Sequence, residues 1–265
     1  MFILTCKLGN EIINCYDGTY SKEQLKEWSD KKLLLCPVCG KPYEYCHGLV
    51  SAPYFRHADK IDCESFCSEP ETEEHINGKI NLYKWIKSQP RVSNVILEAW
   101  IPETKQRPDI YFVFNGRQYV IEYQCSPIAS EYYERHKLYS SIGISDIWIC
   151  GTLNYFQKYH TGNGYKKMNT LEKESLKYYD PFINILFHVN EDGYGIPVNI
   201  LHFYNDDFSN HNKRRDNYYR TKSERNNEFK RIKYKHQLGW KMVNYSMAKC
   251  LDLNQLSLDS EVFKC

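Results

Sequence analysis

Residues 107–125 read RPDIYFVFNGRQYVIEYQC. In the middle of this segment, Asn115-Gly116 is flanked by β-type residues. That dipeptide is the strongest short-range signal for a β-hairpin, because a two-residue type I′ turn needs positive φ at both positions. If these two residues form the turn, Asp109 lies directly opposite Glu122, with Cβ atoms about 5 Å apart on one face. Gln124 follows Glu122 by two residues and so points to the same face.

Two carboxylates held this close repel each other unless a cation lies between them or one of them binds a proton. The simplest interpretation is a divalent-metal site, with Asp109 and Glu122 as hard oxygen ligands and Gln124 as a polar neighbour. Two alternatives stay open, namely polar residues on an exposed edge hairpin and ion pairs with Arg107 or Arg117. The apolar residues around Glu122 indicate a buried strand, where an unpaired carboxylate is costly, and this favours the metal.

The composition is typical of a globular protein in a reducing compartment. The 265 residues can hold one core of moderate size plus a small appendage. Hydrophobic residues make up 42% of the chain in short runs, so no membrane span is expected. Residues 1–15 lack the features of a secretory signal. We therefore expect a cytoplasmic location, where metal binding or burial explains the eleven cysteines better than disulfides do.

The sequence around Cys36 predicts a structural zinc site. Cys36-Pro-Val-Cys39-Gly has the spacing of a zinc knuckle, in which a tight turn points two thiolates at one ion. Our favoured remaining ligands are His57 and Cys63. A redox-active disulfide is the competing interpretation of the Cys-x-x-Cys spacing, but no β-α-β context places it at a helix N-terminus. Rival ligands for the last two positions are Cys67, Cys46 and His47.

The middle of the chain predicts the element order helix, three strands, helix, strand. Helical spacing extends over 72–87 and again over 129–142. A strand is expected at 92–101, followed by the hairpin and by a short apolar strand at 146–150. Both faces of the hairpin are largely apolar, which fits central strands buried on both sides, with the last connection a right-handed β-α-β crossover.

Changes in pattern along the chain predict three domains. The first should contain short strands at 2–6 and 11–16 and a helix opened by a capping pattern at Ser21. In the third, 183–189 and 196–204 are expected as strands, with a hairpin across 192–193 as one option. The predicted domains are 1–68, 69–152 and 153–265.

Two helices carry polar residues spaced by four, which place them on one side of each helix. Glu71, His75 and Lys79 would supply a further metal-shell carboxylate and groups that bind phosphate, or form an ordinary solvated face. Arg135 and Tyr139 share a stripe on the second helix. Arg135 is suited to clamp a phosphodiester oxygen, although a lone arginine is more often a surface residue.

A basic segment lies within residues 213–241 and contrasts with the net charge of only +2. Aromatic residues interleave with its cations, a combination that suits nucleic acid because cations contact phosphates and rings stack on bases. The alternative is a solvated helix face or tail. The candidate contacts in this segment are Arg214, Arg215, Lys230, Arg231 and Lys233.

These motifs together resemble the competence CoiA-like family, itself similar to the PD-(D/E)XK nuclease superfamily. The resemblance covers about residues 30–151, with the motifs in order. The matching pieces are Cys36-Pro-Val-Cys39-Gly, Tyr54-Phe55-Arg56-His57 with Asp62-Cys63, Glu71-Thr-Glu-Glu-His75 with Lys79, Arg107-Pro108-Asp109, Ile121-Glu122-Tyr-Gln124-Cys-Ser126, Arg135 with Tyr139, and Ile147-Trp148-Ile149.

The resemblance implies an α/β fold: a restriction-endonuclease-like core (αβββαβ, mixed central sheet) with a small N-terminal zinc-ribbon-like domain and an α+β C-terminal extension. It implies that Asp109 and Glu122 hold Mg²⁺ or Mn²⁺ and that Glu71 and His75 flank the site. One position departs from the broad superfamily, where lysine usually stands at Gln124. A neutral amide can orient a water but adds no charge, so Lys79 or Arg135 becomes the candidate source of positive charge.

The expected function is metal-dependent hydrolysis of phosphodiester bonds in DNA, with RNA not excluded, in competence, recombination or anti-phage defence. Gln124 would orient the attacking water, and Arg107, Arg135 and Tyr139 would contact the nucleic acid. A second hypothesis is a module on the same fold that handles single-stranded or branched DNA without cutting it. A third is a defence nuclease subunit whose partner protein licenses cutting, and homo-oligomerisation is also open.

Overall fold

The computed structural model describes most of the N-terminal half of the chain and parts of the rest. The predicted ligand Cys67 and the basic segment within 213–241 lie outside the described residues. The described residues are 3–48, 53–58, 63, 71–126, 128, 131–152, 155, 165–166, 170–189, 196–197 and 248–263.

The N-terminal part forms two small antiparallel sheets and one helix. Strand β1 pairs with β2 and with β3, while β4 pairs with β5. Helix α1 begins with the predicted capping box, because Gln24 N–H donates to Ser21 Oγ at 3.2 Å and Ser21 N–H donates to Gln24 Oε1 at 2.8 Å. The bounds are β1 Thr5–Leu8, β2 Glu11–Asn14, α1 Lys22–Asp30, β3 Leu34–Leu35, β4 Tyr43–Cys46 and β5 Tyr54–His57.

The middle of the chain has the predicted order of helix, three strands, helix and strand. The strand expected at 92–101 ends earlier, at Leu97, because Asn94 and Glu98 have positive φ and the pairing shifts register between Ser93 and Ile96. The bounds are α2 Glu73–Lys87, β6 Val92–Leu97, β7 Ile110–Phe114, β8 Arg117–Gln124, α3 Glu131–Ser141 and β9 Ser145–Gly151.

The C-terminal part adds strands to a large mixed sheet. The hairpin considered across 192–193 is corrected: the described part of the later strand, β13, pairs with β10 instead of β12. Strands β9 and β11 run parallel, whereas β11, β12 and β14 pair antiparallel. The bounds are β10 Tyr165–Lys166, α4 Thr170–Ser175, β11 Lys177–Asp180, β12 Ile185–Val189, β13 Ile196–Pro197 and β14 Ala248–Asp252, followed by short 3₁₀ turns at Leu253–Gln255 and Glu261–Phe263.

One sheet of seven strands has the order β14-β12-β11-β9-β8-β7-β6. An α/β fold with a mixed sheet is therefore confirmed. No helix in the described part of the chain is long and apolar enough to cross a membrane.

The hairpin register in this sheet is the predicted one. Phe114 pairs with Arg117 and Ile110 with Ile121, so the same register extended by one residue sets Asp109 opposite Glu122. Asn115 and Gly116 have φ of 50° and 77°, as a type I′ turn requires. The local sequence therefore fixes the alignment of the two acidic positions.

The chain divides into two compact units. The first unit comprises residues 1–72, 82–122 and 135–146, and the second comprises residues 73–81, 123–134 and 147–265. In the first unit, Tyr139 is buried against Ile101, Val120 and Ile144. In the second, the buried hydroxyl of Tyr123 donates to the carbonyl of Tyr179 at 2.9 Å. The domain boundaries at 68 and 152 stay predictions.

Candidate functional site

Four predicted ligands meet in the N-terminal part of the first unit. Cys36, Cys39, His57 and Cys63 each offer a ligand atom, and these atoms all lie within 4.8 Å of one another. The Sγ atoms of Cys36 and Cys63 are 3.8 Å apart, and Cys39 Sγ is 3.9 Å from His57 Nε2. Tetrahedral zinc with Zn–S of about 2.3 Å spaces its ligand atoms by roughly 3.5–3.8 Å, so the donor set fits such an ion.

A tight turn brings the first two ligands together. Gly40 N–H donates to the carbonyl of Cys36 at 3.0 Å, and Gly40 has φ of 69°, which glycine adopts without strain. Val38 N–H donates to Cys36 Sγ at 3.4 Å, a contact that favours a thiolate. The order Cys-Pro-Val-Cys-Gly therefore builds the turn and orients one sulfur.

The electrostatics of this Cys₃His cluster suit a bound cation. Burial opposes ionisation of Cys36, but hydrogen bonds from Cys39, Tyr43 and Val38 lower its thiol pKa to about 7. Burial and the neighbouring thiols raise the pKa of Cys39 to about 11, because a second negative charge is unfavourable there. Burial, with the charges of Lys41 and Arg107, lowers the pKa of His57 and keeps the ring in the neutral form that binds metal.

The structure does not support the rival ligands Cys46 and His47 or a disulfide between Cys36 and Cys39. Cys46 and His47, considered as rival ligands, are not members of the Cys₃His cluster. None of the cysteines whose side chains the structure describes forms a disulfide, and Cys36 and Cys39 are among them. The cluster can therefore hold a metal ion with the favoured ligand set.

The acidic pair of the hairpin has the predicted register, but the partner of Glu122 differs from the prediction. Glu122 is only 3% exposed, on the buried half of β8, while Asp109 is half-buried just before β7. Arg135 Nη2 donates a hydrogen bond to Glu122 Oε1 and forms an ion pair with it. Tyr139 donates its hydroxyl to the same oxygen at 2.5 Å. Glu122 thus forms an ion pair with Arg135, and not with Arg107 or Arg117 as the alternative expected.

This arrangement corrects two predicted nucleic-acid contacts. Tyr139 is fully buried, so it cannot stack on a base in this structure. Arg135 Nη2 donates hydrogen bonds to Glu122 and, at 3.3 Å, to the Tyr139 hydroxyl. This nitrogen is therefore not available to clamp a phosphate. The spacing of four placed both residues on one side of α3, as predicted, but that side packs against the acidic strand.

The charges at this place stabilise one another. Burial disfavours the Arg135 cation, yet the carboxylates of Glu122 and Asp109 hold the pKa of Arg135 above its ordinary value. Burial and the charge of Glu122 raise the pKa of Tyr139, so its phenol stays protonated and acts as a donor.

Asp109 has a second acidic neighbour, Glu71. One carboxylate oxygen of Glu71 and one of Asp109 lie within 4.8 Å of each other, and both residues are half-buried. Two carboxylates at this distance fit a shared divalent cation, because hard oxygen ligands are what Mg²⁺ and Mn²⁺ prefer. The structure thus brings Asp109 together with a predicted flanking residue.

The other predicted catalytic residues lie in the second unit. His75 stacks on Tyr123 with ring centroids 5.9 Å apart. Lys79 is fully buried, which disagrees with its predicted contact with a phosphate. Gln124 donates its amide to the carbonyl of Ser126 at 2.7 Å, a local contact that the sequence analysis did not foresee.

Of the predicted nucleic-acid contacts, Arg107 alone is described without contradiction. Its guanidinium lies 5.9 Å from the ring centroid of Trp100, and the residue is half-buried. Contact with nucleic acid at Arg107 stays a prediction. Five further candidates lie outside the described residues: Arg214, Arg215, Lys230, Arg231 and Lys233.

Sequence reasoning missed two buried carboxylates that hold the fold. Glu98 accepts a 2.7 Å hydrogen bond from the N–H of Leu4, in the first unit. Glu74 accepts one of 2.7 Å from Thr152 N–H, in the second. Glu74 lies inside the motif Glu71-Thr-Glu-Glu-His75, but nothing in its spacing distinguishes a structural acid from a catalytic one.

Comparison with known proteins points to one family. The protein-family model described as "Competence protein CoiA, nuclease-like domain" matches residues 71–195. Competence protein CoiA of Bacillus subtilis (strain 168) is 32% identical over 154 residues, which are 58% of this chain and 39% of that relative's length. No solved structure matches the chain. The match at residues 71–195 supports the resemblance of this part of the chain to the CoiA-like family.

Proposed function

We propose that this protein is a divalent-metal-dependent nuclease that hydrolyses phosphodiester bonds in DNA. The observation that carries the proposal is the approach of the Glu71 and Asp109 carboxylates to within 4.8 Å, both within the residues that match a CoiA nuclease-like domain. Paired hard-oxygen ligands are the usual means of holding the metal in phosphodiester hydrolysis.

Glu71 and Asp109 would hold Mg²⁺ or Mn²⁺ between their carboxylate oxygens. When bound, the metal lowers the pKa of a water and neutralises charge that develops on the phosphate. The backbone of Asp109 is anchored just before β7, because its carbonyl accepts a 2.8 Å hydrogen bond from Glu98 N–H.

The remaining polar residues would orient the reacting groups. Glu122, opposite Asp109 in the hairpin register, would add its carboxylate charge to the same metal site, and Arg135 compensates part of that charge in a buried setting. Gln124 would orient a water through its amide, one donor of which bonds the carbonyl of Ser126. Arg107 would contribute positive charge toward the phosphate.

The Cys₃His cluster would bind one structural Zn²⁺ in a zinc-ribbon-like N-terminal domain. Such a domain is too small for a large core, so the metal supplies much of its stability. We propose the reducing cytoplasm as the location, where cysteines serve as metal ligands more often than as disulfides.

The relative's name suggests a setting. The Bacillus subtilis protein is named a competence protein, and we propose a related role in DNA uptake or recombination, with anti-phage defence as the other setting. The basic segment within 213–241 would add salt-sensitive contacts with DNA phosphates. A partner protein or a second copy that licenses cutting is part of the defence version of this proposal.

Cleavage assays on the full chain test the proposed function. DNA in single-stranded, double-stranded and branched forms, and RNA, would be incubated with Mg²⁺ or Mn²⁺. We expect Asp109→Asn and Glu71→Gln to abolish cleavage and to leave the circular dichroism spectrum unchanged. Glu134→Gln is the matched control, since Glu134 is an exposed acid on α3. Full activity in both Asp109→Asn and Glu71→Gln would refute the assignment.

One observation favours a second function, a DNA-processing module that does not cut. Oε1 of Glu122 is engaged by Arg135 and Tyr139, and the Gln124 amide donates to a carbonyl, so both carry internal contacts where an active nuclease needs groups directed at water. Salt-sensitive DNA binding without cleavage under several divalent metals would support this function over the nuclease.

A further inference from the structure

One carboxylate oxygen in the hairpin is the meeting point of two donors from helix α3. Arg135 Nη2 and the Tyr139 hydroxyl both bond Oε1 of Glu122, and Arg135 also donates to Tyr139 at 3.3 Å. The three groups close a triangle, in which each contact restricts the other two. A carboxylate held by one oxygen from two directions has little freedom to rotate.

In the described part of the chain, Tyr139 forms hydrogen bonds through its hydroxyl with Glu122 and Arg135. Its ring is fully buried against Ile101, Val120 and Ile144, which fixes where the hydroxyl points. A phenylalanine would fill the same space, so packing alone does not require the oxygen. The hydroxyl is explained by what it does to Glu122.

Arg135 supplies charge as well as geometry. Glu122 is 3% exposed, and a buried carboxylate is costly unless a partner charge compensates it. A guanidinium is charged at every pH that proteins experience and has a planar set of donors, so it can serve Glu122 and Tyr139 together. A lysine at this position would keep the charge but would lose the fixed directions of the donors.

We propose that Arg135 and Tyr139 are positioning residues, which hold Oε1 of Glu122 so that this carboxylate keeps the orientation needed for phosphodiester hydrolysis; this rests on the proposed function. The role replaces direct contact of these two side chains with nucleic acid. In this role, helix α3 fixes the orientation of the Glu122 carboxylate on strand β8.

The two roles predict different kinetics. A residue that contacts DNA changes DNA affinity and its salt dependence, whereas a positioning residue changes turnover and metal affinity. For Tyr139→Phe we expect kcat and Mn²⁺ affinity to fall about 10–100-fold, the range typical when a hydrogen-bonding partner of a metal-site group is removed. DNA affinity, measured with Ca²⁺ in place of Mg²⁺, should stay within about twofold.

The test uses matched variants on the full chain. Tyr133→Phe removes an exposed hydroxyl from the same helix and should leave all readouts unchanged. Arg135→Lys should retain more activity than Arg135→Met. In a Glu122→Gln background, Tyr139→Phe should have almost no further effect, because the partner that it positions has changed.

The outcomes separate this proposal from the proposed function. Lack of cleavage by the wild type would contradict the nuclease, while Mn²⁺ affinity from calorimetry would still decide the positioning role. Equal Mn²⁺ affinity in the wild type and Tyr139→Phe, or no Mn²⁺ binding by the wild type, overturns that role. So does a tenfold loss of DNA affinity with unchanged kcat.

Discussion

Glu71 and Asp109 bring carboxylate oxygens within 4.8 Å of each other, although one residue precedes helix α2 and the other precedes strand β7. Asp109 was predicted to share a metal with Glu122, but Glu122 is occupied by Arg135. Glu71 is therefore a further candidate ligand beside Asp109, and Glu122 lies opposite Asp109 with one oxygen bonded to Arg135.

Metal binding at this pair should raise the thermal stability of the protein. A ligand at 100 times its Kd stabilises the folded state by about 2.7 kcal/mol, so Mn²⁺ should raise the Tm of the wild type by several degrees. Asp109→Asn should show no such rise, because one ligand oxygen loses its charge. Differential scanning calorimetry with and without Mn²⁺ measures both; an equal rise in Asp109→Asn and the wild type would mean that the ion binds elsewhere.

The Cys₃His cluster should carry one zinc per chain. Cys63→Ser should lose the zinc and unfold the N-terminal part, because structural zinc contributes on the order of 10 kcal/mol to small domains. Cys46→Ser is the matched control, since Cys46 is a half-buried cysteine outside the cluster and should leave the zinc content at one. Elemental analysis of the purified variants gives the answer, and loss of zinc from Cys46→Ser with retention in Cys63→Ser would reverse the assignment.

The turn at Asn115 and Gly116 should be sensitive to a side chain at its second position. Gly116 has φ of 77°, and an alanine in the left-handed region costs about 1–2 kcal/mol. We expect Gly116→Ala to lower the free energy of unfolding by that amount in urea titrations. Asn115→Gly, which keeps access to positive φ, should be close to neutral. A neutral Gly116→Ala would show that the hairpin reverses in another way.

Gly78 should resist the usual stabilising exchange to alanine within a helix. A Cβ there would lie 2.0 Å from the ring of Tyr123, whose hydroxyl is held by the carbonyl of Tyr179 at 2.9 Å. Gly→Ala normally stabilises a helix interior by about 1 kcal/mol, but this overlap should instead destabilise the protein by about 1–3 kcal/mol.

Urea titrations of three variants test the overlap at Gly78. Adding Tyr123→Leu should reduce the penalty of Gly78→Ala, because the obstructing ring is gone. The exposed change Lys84→Ala on the same helix serves as control. Stabilisation by Gly78→Ala alone would contradict the close approach of the ring.

The parts of the fold that local sequence controls were predictable. Asn115-Gly116 sets the hairpin register without help from distant residues, and the zinc-knuckle spacing at Cys36 identified two ligands directly. The Glu122–Arg135 contact was not predictable, because the same spacing of four on α3 fits a side that faces DNA or one that faces the sheet. Only the packing of Tyr139 among apolar residues decides between them.

The pairing of strands that are far apart in the chain was also not predictable from the sequence. Strand β14 at Ala248–Asp252 pairs with β12, far earlier in the chain, and its short pattern carries no sign of that partner. The early end of β6 depends on positive φ at Asn94 and Glu98, and Glu98 is further held by Leu4. Such features arise from contacts between distant segments, which periodicity does not record.

The most direct test of a divalent-metal site is a crystal grown with Mn²⁺ and measured near the manganese absorption edge. We predict an anomalous peak bonded to carboxylate oxygens of both Glu71 and Asp109, and its absence from crystals of Asp109→Asn. No manganese peak at these carboxylates in the wild type, with Asp109 bonded to an arginine in its place, would contradict the account.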